Sequence, residues 1–350
     1  MSRPPMIAII VVTWNGWTET IECLESLLRL NYSRFRVFVC DNGSNDLEYI
    51  GRWANGDLPA GCNNPRLQHL TIPPVAKPVP HLSLAAGETI DLSQRVERLL
   101  LVQTGANLYY AGGNNVGLRL ALSEPEMEFA WLLNNDTVVD ANALTHLVRR
   151  MEQKPEAGIC GSTLLYYDAP EVVQAMGGST YNAWLARIGQ IGTGSSRRDL
   201  LPPEKVESQM RYVAGASMFL RRELLEKVGL LDERYRVYFE EIDLATRVRN
   251  KYPLAYAPES IVFHKEGAAL GTSTLRSRRP SARAQQYSCR NRILFTRIHF
   301  PARLAPVLLA TLASVFARLL TGRMEEFRAS LRGLKSGLMT RLTGQTAASD

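Results

Sequence analysis

The sequence predicts an α/β fold with an open, mostly parallel sheet. Met6–Thr13 (MIAIIVVT) is an unbroken β-branched and aliphatic run, the pattern of a parallel strand buried on both faces. An amphipathic helix and a second buried run follow it directly. Strand, helix, strand of this length is a βαβ unit, whose crossover is right-handed. The alternation continues to residue 153.

Residues 18–30 read as the first helix: Ile21, Leu24, Leu27 and Leu28 share a face, and Thr18 is placed to cap it. Residues 36–40 (RVFVC) make the second strand, which runs into the turn formers Asp41 to Asp46. Residues 51–96, rich in Pro, Asn and Gly, read as an insertion with little regular structure beyond a hairpin. Residues 98–103 return as a strand, and the glycine-rich 112–117 opens a helix at 118–122. Residues 129–133 form a strand ending in Asn134-Asn135-Asp136, followed by a helix at 141–153.

The second half is more mixed. It reads as a strand at 212–221, a short helix at Arg222–Val228 and an acidic stretch, 238–243, before a helix at 244–251. A strand at 254–263 ends in His264. Two amphipathic segments close the pattern. One sets Leu304, Val307, Leu308, Thr311, Leu312, Val315 and Leu319 at helical spacing, the other Met324, Phe327, Leu331, Leu334 and Leu338. The expected division is a catalytic unit at 1–270, containing the 51–96 insertion, and a basic helical region at 271–350.

Composition narrows the class. The chain has 350 residues, 45% apolar and 21% charged, which excludes a disordered protein. The 25 Gly and 18 Pro follow no repeat, which excludes collagen and solenoids. No run of 18 or more apolar residues is free of charge, so a transmembrane helix is not expected. The apolar N-terminus passes straight into Thr13-Trp14-Asn15 without a small-residue cleavage site, so it reads as a strand rather than a signal peptide. Five cysteines without a CxxC argue against a zinc site or disulfide framework and fit a reducing compartment. The net charge of +7 is uneven: residues 271–350 hold 14 Lys and Arg against 3 Asp and Glu, leaving the body mildly acidic.

Parallel sheets bind ligands at the carboxyl ends of their strands. Thr13-Trp14-Asn15, Asp41 to Asp46, Asn134 to Asp136 and His264 all lie at such ends. Each also has a plainer reading as a turn, a cap or a structural histidine; their joint placement points to a site. Asp136 and His264 suit a hard divalent cation, Mg²⁺ or Mn²⁺, whose remaining positions a diphosphate would fill. Glu240, Glu241 and Asp243 either favour a helix N-terminus or supply a general base whose pKa neighbouring carboxylates raise. A dinucleotide or P-loop reading fails: Thr-Trp-Asn-Gly-Trp follows the first strand, and AGGNNVG lacks a lysine.

VVTWNG, CDNGSND, YYAGGNNVG, LLNNDT, VAGASMFLRR, VYFEEIDLATRVR and VFHKEG stand in the order found in family 2 glycosyltransferases of the GT-A fold. The chain resembles the bacterial rhamnosyltransferase-like branch over about residues 5–300, apart from the insertion. The resemblance implies that Thr13, Asn15, Asp41 and Asn42 hold the nucleotide. Asn114, Asn134 and Asn135 would line the donor pocket, and Asp136 and His264 would ligate the metal. Gly215 and Ala216 would lie near the acceptor, as would Arg290 and Asn291 of a downstream Arg-Asn motif. Glu241 falls on the general base of the family's Glu-Asp motif, with Glu240 and Asp243 as neighbouring candidates. Three departures stand out: a single carboxylate in the metal motif, Glu where relatives usually have Asp at the base, and Tyr109 where many relatives have Gly.

The implied reaction is inverting transfer of a sugar from a nucleoside diphosphate, dTDP-rhamnose or a UDP-sugar, to a glycan or glycolipid hydroxyl in bacterial surface polysaccharide assembly. Rival readings are a sugar nucleotidyltransferase and a non-catalytic glycan- or nucleotide-binding scaffold. The basic C-terminal helices, with Arg303, Arg318, Arg323, Arg328, Arg332 and Arg341, would pack on the body or a second copy, or lie on an anionic membrane. The expected location is the cytoplasm, peripheral to the inner membrane face. No nucleic-acid-reading motif is present.

Overall fold

The computed structural model describes residues 3–342, except 63, 94 and 267–279. The expected boundary at 270/271 therefore lies outside the described residues.

β1 (Met6–Thr13) is the buried centre of the fold. Ile7, Ile9 and Val11 pack into one apolar cluster, and Ala8 and Ile10 into another on the opposite face. Alternate side chains of one strand thus face two layers. Each fully buried Ile contributes ~1.5–3 kcal/mol relative to exposure.

The first layer is built from α1 (Trp17–Leu27), which follows β1, and α2 (Asp46–Asn55), which follows β2 (Phe35–Asp41). α1 starts at Trp17 with Gly16 as its cap residue, so Thr18 does not cap it; the Thr18 hydroxyl bonds Glu19 instead. The region 51–96 is not a hairpin. Its strand β3 (His81–Leu84) pairs in parallel with β4 (Leu99–Gln103) at the sheet edge.

α3 (Tyr109–Leu122) contains the whole glycine motif rather than starting after it. A Cβ at Gly113 would lie 2.8 Å from a Val12 methyl, and one at Gly117 would lie 2.7 Å from an Ile10 methyl. The glycines let this helix lie directly on the sheet. Tyr109, at its first turn, has φ 59°, the left-handed region that a glycine enters without strain.

β5 (Met127–Asn134), β6 (Thr137–Val139) and α4 (Ala143–Gln153) follow. Next come β7 (Ile159–Tyr166), β8 (Ala169–Met176), β9 (Gly178–Asn182), β10 (Arg187–Gln190) and α5 (Pro203–Gln209). The segment read as one strand at 212–221 is two: β11 (Tyr212–Val213) joins a small sheet with β9 and β10, while β12 (Ser217–Arg221) joins the main sheet. α6 (Arg222–Val228), α7 (Glu240–Val248) and β13 (Leu254–His264) complete the body. The main sheet runs β3-β4-β2-β1-β5-β12-β7-β13-β6, with β8 on β7. β12 is antiparallel to β5 and β7, so the sheet is mixed but mostly parallel.

α8 (Ala282–His299), α9 (Leu304–Leu320) and α10 (Met324–Met339) form the C-terminal helices. Only part of α10's expected apolar stripe packs: Leu334 meets the Ile293 and Val307 cluster and Phe327 is half-buried. The buried face of α10 is Ala329, Ser330, Gly333 and Gly337, while Leu331 and Leu338 face outward. A Cβ at Gly333 would meet the Gln286 carbonyl oxygen at 2.3 Å, so the small residues set how closely α10 approaches α8. Pro301–Leu320 is apolar and long enough to cross a membrane by composition, with mean hydropathy 1.6, contrary to expectation. Yet Arg303 and Arg318 bound its uncharged stretch, which spans only ~21 Å as helix against a ~30 Å hydrocarbon core.

Candidate functional site

Strand register assembles the site. Thr13 pairs with Asp41 across β1 and β2, and Val12 with Asn134 across β1 and β5, so the three strand ends are level. β13 runs antiparallel to β6 with His264 opposite Thr137, which sets His264 beside Asp136. The ends open into a pocket of about 520 Å³.

On one wall, His264 Nε2 lies 3.2 Å from Asp136 Oδ1. Its Nδ1 lies 2.9 Å from the Gln174 amide oxygen, which can only accept, so Nδ1 carries the proton and Nε2 faces Asp136. Burial opposes a charge on His264, but Asp136 outweighs it and raises the imidazole pKa. A carboxylate and a ring nitrogen aimed at the same point, with the ring oriented from behind, fit a divalent cation.

On the other wall, the first turn of α7 presents Glu240 and Glu241. Glu240 is buried and Glu241 half-buried. Burial dominates the ionisation of both carboxylates. It raises Glu241 to about 7, and burial together with Glu241 raises Glu240 well above the carboxylate range. Oε2 of each has no hydrogen-bond partner among the described residues. Tyr110 lies between the walls and donates its hydroxyl to the Gly215 carbonyl at 2.6 Å.

The pocket gathers Asn15, Asn42, Asn134, Asn135, Asp136, Gly215, Ala216, Glu240, Glu241 and His264. Six residues expected at the site do not line it. The Thr13 hydroxyl bonds Asp46 and Thr20 behind the wall. Asp41 is enclosed by the Ser44 backbone and hydroxyl and by Gln103. Asn114 turns inward to the Tyr110 carbonyl. Arg290 and Asn291 bond the loop before α7. Asp243, one turn along α7, points away from Glu241: His299 Nε2 bonds it at 2.6 Å and Arg247 Nε at 2.7 Å. Although burial opposes its charge, these partners hold Asp243 below the usual carboxylate range.

These bonds tie Asp243 into the fold. Its lowered pKa adds stability that is present above the unfolded carboxylate value and lost as pH falls through the folded one. Asp243→Asn is expected to cost ~2–4 kcal/mol at neutral pH, with the difference shrinking in acid. Denaturant melts of both proteins across pH check it; equal stability at pH 7 would refute it.

Trp14, Tyr109, Tyr110, Gln174, Arg283 and Tyr287 also line the pocket but were not among the expected site residues. The Arg283 guanidinium lies 5.9 Å from the Trp14 ring, and Tyr287 packs edge-on against Tyr109 at 5.8 Å. Trp14, Tyr109 and Tyr110 stand within or beside the quoted motifs, and Tyr287 lies three residues before the Arg-Asn pair, which was the available signal. Gln174 and Arg283 carry none, since only folding brings them to the site.

A sheet whose strand ends gather amides, a carboxylate and a histidine opposite a helix-borne acid pair has the GT-A nucleotide-diphospho-sugar transferase arrangement. The mannosyltransferase PcManGT from Pyrobaculum calidifontis, solved with GDP-Man and Mn²⁺, matches with TM-score 0.52 at 16% identity, over 97% of this chain and 88% of that one. GalNAc-T7, solved with UDP, GalNAc and Mn²⁺, matches with TM-score 0.55 at 13% identity, over 85% of this chain and 48% of that one. These likenesses establish the fold.

The chain belongs to glycosyl transferase family group 2, whose model matches residues 131–332; a glycosyl transferase family 2 model also matches residues 8–62. A Haloferax volcanii protein, the low-salt glycan biosynthesis hexosyltransferase Agl10, is 26% identical over 43% of this chain and 46% of its own length. The N-acetylglucosaminyl-diphospho-decaprenol L-rhamnosyltransferase of Mycobacterium tuberculosis is 26% identical over 51% of this chain and 62% of its own. The chain thus matches only about half to three-fifths of these relatives.

Proposed function

We propose that the chain is an inverting glycosyltransferase that moves a sugar from a nucleoside diphosphate to a hydroxyl of a glycan or lipid-linked glycan. The observation that carries the proposal is the pairing, in one pocket, of Glu241 with a cation-suited Asp136 and His264. Glu241 takes the acceptor hydroxyl proton as that oxygen bonds the anomeric carbon; the bond to the diphosphate oxygen breaks, and its electron pair leaves with the diphosphate. A carboxylate with a pKa about 7 is matched to that task near neutral pH. Glu241 is favoured over Glu240 because it reaches the pocket near Gly215, while Glu240 is buried and more strongly held neutral. Asp136 and His264 would hold Mg²⁺ or Mn²⁺, which supplies positive charge to the leaving diphosphate. Asn15, Asn42, Asn134 and Asn135 are placed to bind the donor, and Gly215 and Ala216 to border the acceptor.

The mycobacterial relative is named for rhamnosyl transfer to a diphospho-lipid, which supports a rhamnose donor and a lipid-diphosphate acceptor. The dTDP carrier and surface polysaccharide assembly as the process follow from the family resemblance, with UDP-sugars as the alternative donors. A lipid-linked acceptor suits a cytoplasmic enzyme resting on the inner membrane face. Met324, Leu331 and Leu338 share an exposed side of α10 with Arg328 and Lys335, the mixture that lies on an anionic surface. By contrast, Arg303, Arg318 and Arg323 are engaged within the chain, by Trp184, Gln285 and Glu326.

Calorimetric titration with dTDP, UDP and GDP, with and without Mn²⁺, is the test, run beside sedimentation with phosphatidylglycerol vesicles. Metal-strengthened binding of one nucleotide is expected. A folded protein that binds none would favour a non-catalytic scaffold, and no sedimentation would remove the membrane role.

A further inference from the structure

Loop 234–239, which leads into α7, is strained. Arg236, Tyr238 and Phe239 have φ of 66°, 68° and 77°, and none is a glycine. Each such residue is disfavoured for an L side chain unless its surroundings impose the conformation. Regular structure supplies the loop with few backbone partners, so its carbonyls need others. The two N–H groups of the Asn291 side-chain amide donate among the carbonyls of Tyr235, Val237 and Tyr238, at 2.7, 2.8 and 2.9 Å, so one N–H is shared between two of them. Arg290 donates to the Arg234 carbonyl at 2.8 Å and to the Asn291 oxygen at 2.6 Å, which fixes the way the amide points. The Ala111 N–H donates to the Arg236 carbonyl at 3.1 Å and the Asp243 N–H to the Phe239 carbonyl at 2.8 Å. Asn291 is fully buried, so no water competes for these bonds.

We infer that Asn291 is a positioning residue: from α8 it clamps the strained loop and so aims the Glu241 carboxylate into the pocket, with Arg290 orienting its amide. The inference rests on the assignment of Glu241 as the base. It gives the Arg-Asn pair a role in the catalytic step in place of the acceptor contact expected from sequence. Among the described residues, the ionisable groups that sense the Glu241 charge are Glu240 on its own helix, Tyr110 on α3, Tyr212 on β11 and Tyr238 on the loop. None of these four is a cation, and burial leads the causes of the raised Glu241 pKa. Relaxing the loop admits water to the acid pair, and its pKa falls toward the ordinary value.

The experiment compares wild type, Asn291→Ala, Arg290→Lys and Glu241→Gln. Transfer is assayed from dTDP-rhamnose to a short-chain N-acetylglucosaminyl diphospholipid, and melting is followed across pH. Asn291→Ala is expected to lower kcat ~10–100-fold with donor KM nearly unchanged, and to move the acid limb of the rate profile down by about one pH unit. Arg290→Lys, whose single ammonium nitrogen can still donate to both oxygens, should retain most of the rate. Melting, which needs no donor, should show the Glu241-dependent stability loss between about pH 5 and pH 8 weakened in Asn291→Ala. A merely structural Asn291 would lower the melting temperature equally at every pH and leave the acid limb in place, which overturns the inference. If Glu241→Gln is inactive while Asn291→Ala keeps wild-type rate and limb, the clamp falls and the base assignment stands. If Glu241→Gln is fully active, the base assignment falls, and the clamp falls with it.

Discussion

Glu241→Gln is expected to lower transfer ~10²–10⁴-fold while leaving donor affinity within about twofold. The amide keeps the shape of the carboxylate but cannot take a proton. In the wild type, kcat/KM should fall as pH drops below about 7, where Glu241 protonates; in the variant that limb disappears. Stability should move the other way. A carboxyl group whose folded pKa is raised adds stability below its unfolded pKa, and loses it as pH rises through about 7. Above that point the wild type carries an ionised, half-buried carboxylate and the variant does not. Glu241→Gln should therefore be more stable by ~2 kcal/mol at pH 8, allowing for solvent at the pocket, and the gap should shrink by pH 5. Activity and stability that trade off at one residue mark a functional group held at a cost to the fold. Wild-type turnover in the variant would remove Glu241 from the mechanism, and equal melting at pH 8 would remove its raised pKa.

Asp136→Ala is expected to abolish the metal-dependent part of nucleoside diphosphate binding and to slow transfer at least ~100-fold. A cation shared by two protein groups loses its site when either is removed. Asp136→Ala, His264→Ala and the double variant should then give similar losses rather than additive ones. Without metal, all four proteins should bind dTDP equally weakly. The competing picture is a plain ion pair, because the 3.2 Å contact between Asp136 and His264 also suits a protonated imidazole. That picture predicts destabilised variants whose nucleotide binding still responds fully to Mn²⁺. Calorimetry with and without Mn²⁺ separates the two.

Local pattern made much of the fold legible. Met6–Thr13 and Arg222–Val228 have the boundaries their side chains predict, because hydrophobic period and breakers act over a few residues. Where packing competes with pattern, the sequence misleads. The glycine-rich 112–117 reads as the opening of a helix at 118, giving close backbone approach or a tight turn; it lies wholly inside α3, where the sheet leaves no room for side chains. Likewise the leucines of α10 read as its packing face, yet Gly333 and Gly337 allow a closer approach to α8.

The candidate site divides in the same way. By itself, the sequence determined the fold class, the family resemblance and the strand-end residues Asn134, Asn135, Asp136 and His264, because parallel strands bring their carboxyl ends to one edge. Only the tertiary structure decided which neighbours face that edge. Glu241 and Asp243 are two residues apart on a helix, about 200° around its axis, so one lines the pocket while the other bonds His299 and Arg247. Asn291 carried no signal of its target, since its three carbonyl partners lie more than 50 residues away in the chain. Side-chain direction and long-range hydrogen bonding arise when the elements pack, and residue order alone does not encode them locally.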